Sequence, residues 1–394
     1  MRCRTPSWLQ SQVMARIELI VVGASAGGLD ALLAIVKDLP PRLPATVIVV
    51  MHNNGRSHLP AILARAGTLP VVVPEHGDAL MPGTIVVPPR DHHLLVSGRG
   101  VILNSGPREN GFRPAIDPLF RTAARAYGAG VAGVILSGAL DDGTYGMQVI
   151  KRAGGITIVQ DPDEASIPSM PMSAIANVEI DYIARAAAIG ELLVTLSGQH
   201  VKGRATMAVS KRPEPQDQRG EMEVSTMVKT FGPASGITCP DCGGALWEIR
   251  EGRLVRYRCH VGHQFTPDGL EAGQRDSVEG ALWSAVRVLE EQADLRQRLA
   301  ERAESAGLTM VHKRFAQGSR ESHRQAAAIR DLVFNRRDPD LPEPAAAAAP
   351  PRSGGRAKRR AVRAAGRCGK FEKEGWSSRR IYGNDSPSAP NRPD

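Results

Sequence analysis

From about residue 15 to residue 200, short apolar runs rich in Val and Ile alternate with stretches whose apolar residues recur every three or four positions. Runs without polar alternation belong to strands buried on both faces, and strands separated by helices give a parallel sheet. The pattern predicts strands over 17–22, 46–51, 71–73, 84–87, 131–137 and 155–159, with a hairpin over 92–103. Helices are predicted over 29–38, 59–66, 117–127 and 143–152. The expected fold class is α/β, a doubly wound, mostly parallel sheet with helices on both faces, spanning residues 15–200.

Beyond residue 200 the pattern changes. Residues 201–236 are polar, contain Pro213, Pro215 and Pro233, and read as a linker. A compact stretch over 237–267 follows. Residues 275–335 lack Pro and place Leu282, Val286, Leu289 and Leu295 near helical spacing, which predicts one or two amphipathic helices able to recruit a regulatory protein or to stand solvated. Residues 338–394 carry Pro-Glu-Pro, an alanine run and Arg-Gly patches, so a disordered basic tail is expected, and residues 1–14 form a short N-terminal extension. No receiver-like domain is recognisable ahead of the sheet.

At 394 residues the chain exceeds what one core of ~250 residues usually holds, in keeping with several units. The formal charge of +9 invites a nucleic-acid hypothesis. Residues 351–394, however, hold twelve Lys and Arg against four Asp and Glu, so the body of the chain is almost neutral and offers no such footprint. No apolar run reaches the ~18–20 residues that cross a bilayer, and the first apolar run enters a glycine-rich loop with no cleavage site. A cytoplasmic protein without a membrane span is the expectation.

Three strand ends carry the candidate chemistry. The first strand runs into Gly23-Ala24-Ser25-Ala26-Gly27-Gly28, a Gly-x-Ser-x-Gly turn that exposes a serine hydroxyl or, alternatively, cradles a phosphate. A dinucleotide fold would end its second strand in an acid. Here that strand ends in His52, a residue able to take a proton from a neighbouring hydroxyl. The strand over 131–137 leads to Gly138-Ala139-Leu140-Asp141-Asp142-Gly143, whose acids can orient an imidazole or cap a helix.

These segments, together with Pro88-Pro89-Arg90-Asp91-His92-His93, Arg113-Pro114-Ala115-Ile116-Asp117-Pro118, Gln160-Asp161-Pro162 and Ser169-Met170-Pro171, resemble the catalytic domain of the CheB protein-glutamate methylesterases in the family's own order. The resemblance implies Ser25 as nucleophile, His52 as general base and Asp142 as the orienting acid, with no cofactor for catalysis. It implies as substrates the glutamyl methyl esters of chemoreceptor helices, with glutamine deamidation by the same acyl chemistry. It also points to Arg113 and Met170 for seating the receptor helix, although Met170 suits core packing equally well. The chain departs from the family pattern in two places, at Ala26 where Thr is usual and in the loop Gly138-Ala139-Leu140-Asp141-Asp142-Gly143 where the family has Gly-Met-Gly-x-Asp-Gly; both lie near the expected oxyanion donors around Ala139. The competing expectation is a weakly active regulatory protein on the same fold.

Cys239-Pro240-Asp241-Cys242 and Cys259-His260-Val261-Gly262-His263 have the spacing of two zinc knuckles. Cys239, Cys242 and Cys259 with His263, or alternatively His260, make a closed set for a structural zinc. A stretch of ~30 residues with so few apolar side chains needs such a staple to fold. The fold expectation therefore ends in a small zinc-ribbon-like unit and a helical extension.

Overall fold

The computed structural model describes residues 12–52, 58–198, 200–204, 224–251 and 253–335. Most of the predicted N-terminal extension and linker, and the whole basic tail, lie outside the described residues.

Strand β1 (Gln12–Arg16) leads into β2 (Leu19–Ala24), helix α1 (Gly28–Asp38), β3 (Thr46–Met51), α2 (Leu59–Ala66), β4 (Val71–Val72) and β5 (Ile85–Val86). A hairpin of β6 (His93–Ser97) and β7 (Gly100–Asn104) precedes α3 (Ile116–Tyr127), β8 (Val131–Ile135) and α4 (Thr144–Arg152). Then come β9 (Ile156–Gln160), α5 (Ser169–Asn177), β10 (Tyr182–Ala184) and α6 (Ala186–Gly198).

Seven strands form one parallel sheet in the order β10-β9-β8-β2-β3-β5-β4. The chain winds outward from β2 in one direction and then, from β8, in the other. A crevice therefore opens outside the carboxyl ends of β2 and β8, where ligands bind in sheets of this kind. The alternation of the strand assigns the two cores: Leu19 and Val21 face one, and Ile20, Val22 and Ala24 face the other. Leu32, Ile35, Leu63 and Leu193 of the helices cover the β2 face that carries Ile20 and Val22. Leu119, Phe120, Met147 and Ile150, with Leu94 of the hairpin, cover the opposite face.

The linker expectation is corrected at both ends. Strand β11 (His200–Arg204) pairs antiparallel with β1 over five residues, and α7 (Val224–Phe231) lies just before the ribbon. A five-residue run with a single strongly apolar residue, Val201, is too short to give a readable period. The ribbon has three antiparallel strands, β12 (Leu246–Glu251), β13 (Leu254–Cys259) and β14 (Gln264–Phe265). Its central apolar cluster is small, comprising Cys239, Leu246, Cys259, Phe265 and Leu270.

Helices α8 (Pro267–Ser305) and α9 (Thr309–Phe334) close the described chain. Val286, Ala293 and Ala300 are buried at seven-residue intervals along α8, facing Ser319, Ser322 and Ala326 of α9. Leu295, expected in this seam, is 58% exposed, because small residues and not leucines let the two helices close on each other. Arg296 Nη1 crosses the seam to the Gly318 carbonyl at 3.0 Å and the Ser322 hydroxyl at 2.8 Å.

Packing of α4 on β8 depends on Gly133. A Cβ there would stand 2.7 Å from Ile150 Cδ1 and 2.8 Å from Met147 Sδ. Gly133→Ala should cost ~1–3 kcal/mol and lower the melting temperature by several degrees, measured by thermal unfolding. An unchanged melting curve would mean that the α4 side chains have room to withdraw.

Candidate active site

Strand register brings the first two candidate residues together. Gly23 pairs with Val50 and Ala24 with Met51, so Ser25 and His52 follow as the next pair beyond the sheet, on strands ~4.8 Å apart. The His52 N–H donates to the Ala24 carbonyl at 3.1 Å, continuing the ladder into the site. On the other side of β2, the Ser25 N–H donates to the Ser137 carbonyl at 3.0 Å. Ser137 is fully buried, and its hydroxyl donates to the Ala26 and Ile167 carbonyls while accepting the Ile167 N–H. The turn after Ser25 thus rests on the end of β8. Gly27, at φ 72°, and Gly28 permit it, since a Cβ at Gly28 would meet the Ser137 carbonyl oxygen at 2.8 Å.

His52 is 8% exposed, and its Nε2 lies 2.9 Å from Asp142 Oδ2. Phe112 stacks flat on the imidazole, with centroids 3.7 Å apart and planes within 5°. The other ring nitrogen, Nδ1, is buried with no hydrogen-bond partner among the described residues.

Asp142 is enclosed by donors. Besides His52, its Oδ2 accepts the Ile116 N–H at 2.7 Å, and its Oδ1 accepts the Asn110 amide at 2.9 Å and the Asp117 N–H at 3.2 Å. The first turn of α3 therefore points its free N–H groups at this carboxylate, as helix N-termini do for anions. Asp142 does serve as a helix cap, but for α3, not for α4, which follows it in sequence. Burial alone would push its carboxyl up; the hydrogen bond and charge of His52, with the Ile116 and Asn110 donors, outweigh this and hold it below the usual range.

Two neighbouring acids behave in the opposite way. Asp117 is driven well above the carboxylate range by burial and by the charge of Asp142, which favours its neutral form. Asp141 is pushed up to about 7, chiefly by burial, with Asp268 and Asp142 adding to the shift and the Thr266 hydroxyl bond opposing it. The site thus keeps one ionised carboxylate among acids that resist ionisation.

A cleft of about 440 Å³ opens beside His52, lined by Phe112, Leu59 and Pro88 with Arg90, Arg108 and Arg113. Arg113 is tied to Asp91 at 2.8 Å and to the Ser105 and Gly106 carbonyls, whereas Arg90 and Arg108 are exposed on the rim. Met170 is fully buried, its N–H on the Gly138 carbonyl, and so offers no surface to a partner. Its place in the core answers the alternative left open by the sequence.

The second candidate centre gathers Cys239, Cys242, Cys259 and His263, whose ligand atoms lie within 4.8 Å of one another. A tetrahedral zinc with ~2.3 Å bonds to sulfur and ~2.0 Å to nitrogen sets S–S edges near ~3.8 Å and S–N edges near ~3.5 Å. Cys242 Sγ and Cys259 Sγ are 3.8 Å apart, and Cys259 Sγ and His263 Nδ1 are 3.5 Å apart. Cys259 is pulled down to about 3, first by the Cys239 thiol and then, against burial, by His263, which is the charge state a metal ligand needs. His263 Nε2 points toward Asp241, 3.8 Å away. His260 is not among the four. The donors present fit a zinc.

Several contributors escaped the sequence reading: Asn110, Phe112, the α3 N-terminus and Thr266. Asn110 is followed by Gly111 and has φ 52°, so Asn-Gly was a readable turn signal but not a readable hydrogen bond to Asp142. Thr266-Pro267 was likewise a helix start, with Thr266 Oγ1 accepting the Gly269 N–H.

The CheB methylesterase family model matches residues 20–193. A protein of Anaeromyxobacter dehalogenans named protein-glutamate methylesterase/protein-glutamine glutaminase 2 is 40% identical over 172 residues, 43% of this chain and 50% of that protein. A Leptospira interrogans protein, provisionally given the same type of name, is 36% identical over 190 residues, 48% of this chain and 98% of that protein. The chain therefore spans half the length of the first relative and nearly all of the second. The crystal structure of the Thermotoga maritima CheB methylesterase catalytic domain is 32% identical, with a TM-score of 0.44, covering 45% of this chain and 98% of that one.

Asp141 generates a pH-dependent prediction. Its folded-state pKa lies above the unfolded value, so the folded chain holds a proton that the unfolded chain releases, and stability falls as pH rises from about 3.8 to about 7. Asp141→Asn keeps an acceptor for Thr266 and removes the ionisation. The variant's advantage in unfolding free energy should grow across that window to a few kcal/mol and then level off. Denaturant titrations at pH 5 and pH 8 measure it; a difference that does not change with pH would contradict the assignment.

Proposed function

The chain belongs to the CheB methylesterase family, and from that membership we propose that it hydrolyses glutamyl methyl esters on chemoreceptor helices, releasing methanol. The observation that carries this reading is the buried His52–Asp142 pair, 2.9 Å apart, one register step from the serine that ends β2. In this mechanism Ser25 Oγ attacks the ester carbonyl carbon while His52 accepts the hydroxyl proton. Asp142, kept ionised by its four donors, holds the imidazole and stabilises the imidazolium.

The oxyanion that forms needs backbone donors beside Ser25. We assign this role to the N–H groups of Ala26 and Ala139. Support comes from the closeness of the two loops, since a Cβ at Gly138 would fall 2.8 Å from Ser25 Cβ. Side chains at these positions need not donate, so Ala26 and Leu140 are compatible with activity. Collapse of the intermediate expels methanol carrying the proton from His52. Water, deprotonated by His52, then cleaves the acyl-enzyme and regenerates Ser25.

A glutamine side chain would pass through the same acyl-enzyme with ammonia as leaving group, in line with the double names of the relatives. The chemistry calls for no cofactor. The exposed Arg90 and Arg108 on the rim of the cleft suit an acidic, glutamate-bearing helix. Zinc held by Cys239, Cys242, Cys259 and His263 would be structural, because four protein ligands leave no open position.

Methanol release from a methylated chemoreceptor fragment tests the proposal. The zinc-loaded chain should release it, Ser25→Ala should abolish release, and Asp142→Asn should reduce kcat by about a thousandfold or more. Absence of release from the folded chain, or release undiminished in Ser25→Ala, would remove the serine esterase assignment.

A further inference from the structure

The ribbon and the catalytic domain meet at the acid of the candidate triad. The Asn110 N–H donates to the Gln264 carbonyl at 2.8 Å, and Asn110 Oδ1 accepts the Thr266 N–H at 2.9 Å. Asn110 is thus clasped, main chain and side chain, by two residues that flank Phe265 at the end of the ribbon. Its remaining amide hydrogens face Asp142 and Asp117. Thr266 Oγ1 also donates to Asp141 Oδ1 at 2.5 Å, one residue from Asp142. The loop that carries Asn110 carries Phe112 as well, the ring stacked on His52.

More of the ribbon is anchored nearby. Arg256 lies 3.6 Å over the ring of Tyr145 in α4, and the Tyr145 hydroxyl donates to Glu251. The buried Glu109–Arg121 pair sits directly before Asn110 and fixes the loop to α3. Every one of these contacts lies on the acid side of the site. Among the described residues the open cleft beside His52 is lined by residues between Val49 and Pro114 and by none of the ribbon, so the ribbon braces the site from the other side.

Resting on the esterase reading, we propose that the metal-binding ribbon is a working part of the esterase centre: by clasping Asn110 and fixing Asp141 it sets the position of Asp142, and metal binding in the ribbon therefore governs the reactivity of Ser25. Asn110 and Thr266 are positioning residues; neither touches substrate. The metal does no chemistry on the ester. It orders the strand ends that supply the Gln264 carbonyl and the Thr266 N–H, with His263 as the ligand immediately before them.

The test uses the full zinc-loaded chain and the rate at which a fluorophosphonate probe labels Ser25, a readout independent of which ester is the substrate. Thr266→Val keeps the side-chain shape and loses both hydroxyl bonds; Asn110→Gly keeps a backbone that tolerates φ 52° and loses the amide. Each should slow labelling and methylesterase kcat about tenfold or more, with KM little changed and zinc content retained. Thr266→Ser should restore the rate. Chelation of zinc from the wild type should slow labelling similarly, and chelation from Asn110→Gly should add little, because the two act through one path.

The acid limb of the pH–rate profile should move in the variants, which a general loss of stability would not cause. Additive losses on chelating Asn110→Gly, or undiminished labelling of zinc-free wild type or of Thr266→Val, would overturn the clamp while leaving the esterase intact. Absence of any Ser25 labelling in the zinc-loaded wild type would instead overturn the esterase reading, and the clamp with it.

Discussion

A carboxylate taken out of water is strongly destabilised unless donors replace the hydration it loses, and Asp142 is 2% exposed. Its four donors come from β3's end, the Asn110 loop and the first turn of α3. Each of those elements is therefore held in register with the others by one charge. His52 can be buried because this acid receives it, and α3 can begin at Ile116 because this acid accepts its first N–H groups. The same charge, together with burial, raises the affinity of Asp117 for its proton, so the site tolerates a second buried carboxyl only as a neutral group.

What could be read from the sequence was whatever repeats at short range. The apolar runs that became β2, β3, β8 and β9 were visible because both faces of those strands are covered. The serine turn and the paired cysteines were visible because a tight turn and a metal knuckle each need particular residues two or three positions apart. The remainder depends on contacts between distant residues. Asn110 reaches Asp142 across 32 positions, and Thr266 reaches Asp141 across 125 and Asn110 across 156. No local pattern encodes those partners, and Thr266-Pro267 carries only the signal of a helix start. Leu295 was misplaced for a related reason: seven-residue spacing of Val286, Ala293 and Ala300 outranks the size of any one leucine.

The ribbon's modest core bears on the same point. An apolar cluster of five buried side chains, two of them cysteines, leaves its shape dependent on the metal ligands and on its anchorage to the Asn110 loop and α4. Buried Arg256 and Arg258 reinforce that anchorage, an unusual investment of charge for so small a unit. Folding of the ribbon and its seating on the larger domain are in this sense one event.

Thr266 is also the N-cap of α8, whose 39 residues extend for about 58 Å at 1.5 Å per residue. Braced along its small-residue seam by α9, that helix is a stiff lever with its fulcrum at the hydroxyl that holds Asp141. A tilt of a few degrees, imposed far out along the hairpin, would arrive at its base as a displacement of well under an ångström, which is the scale on which a hydrogen bond is made or lost.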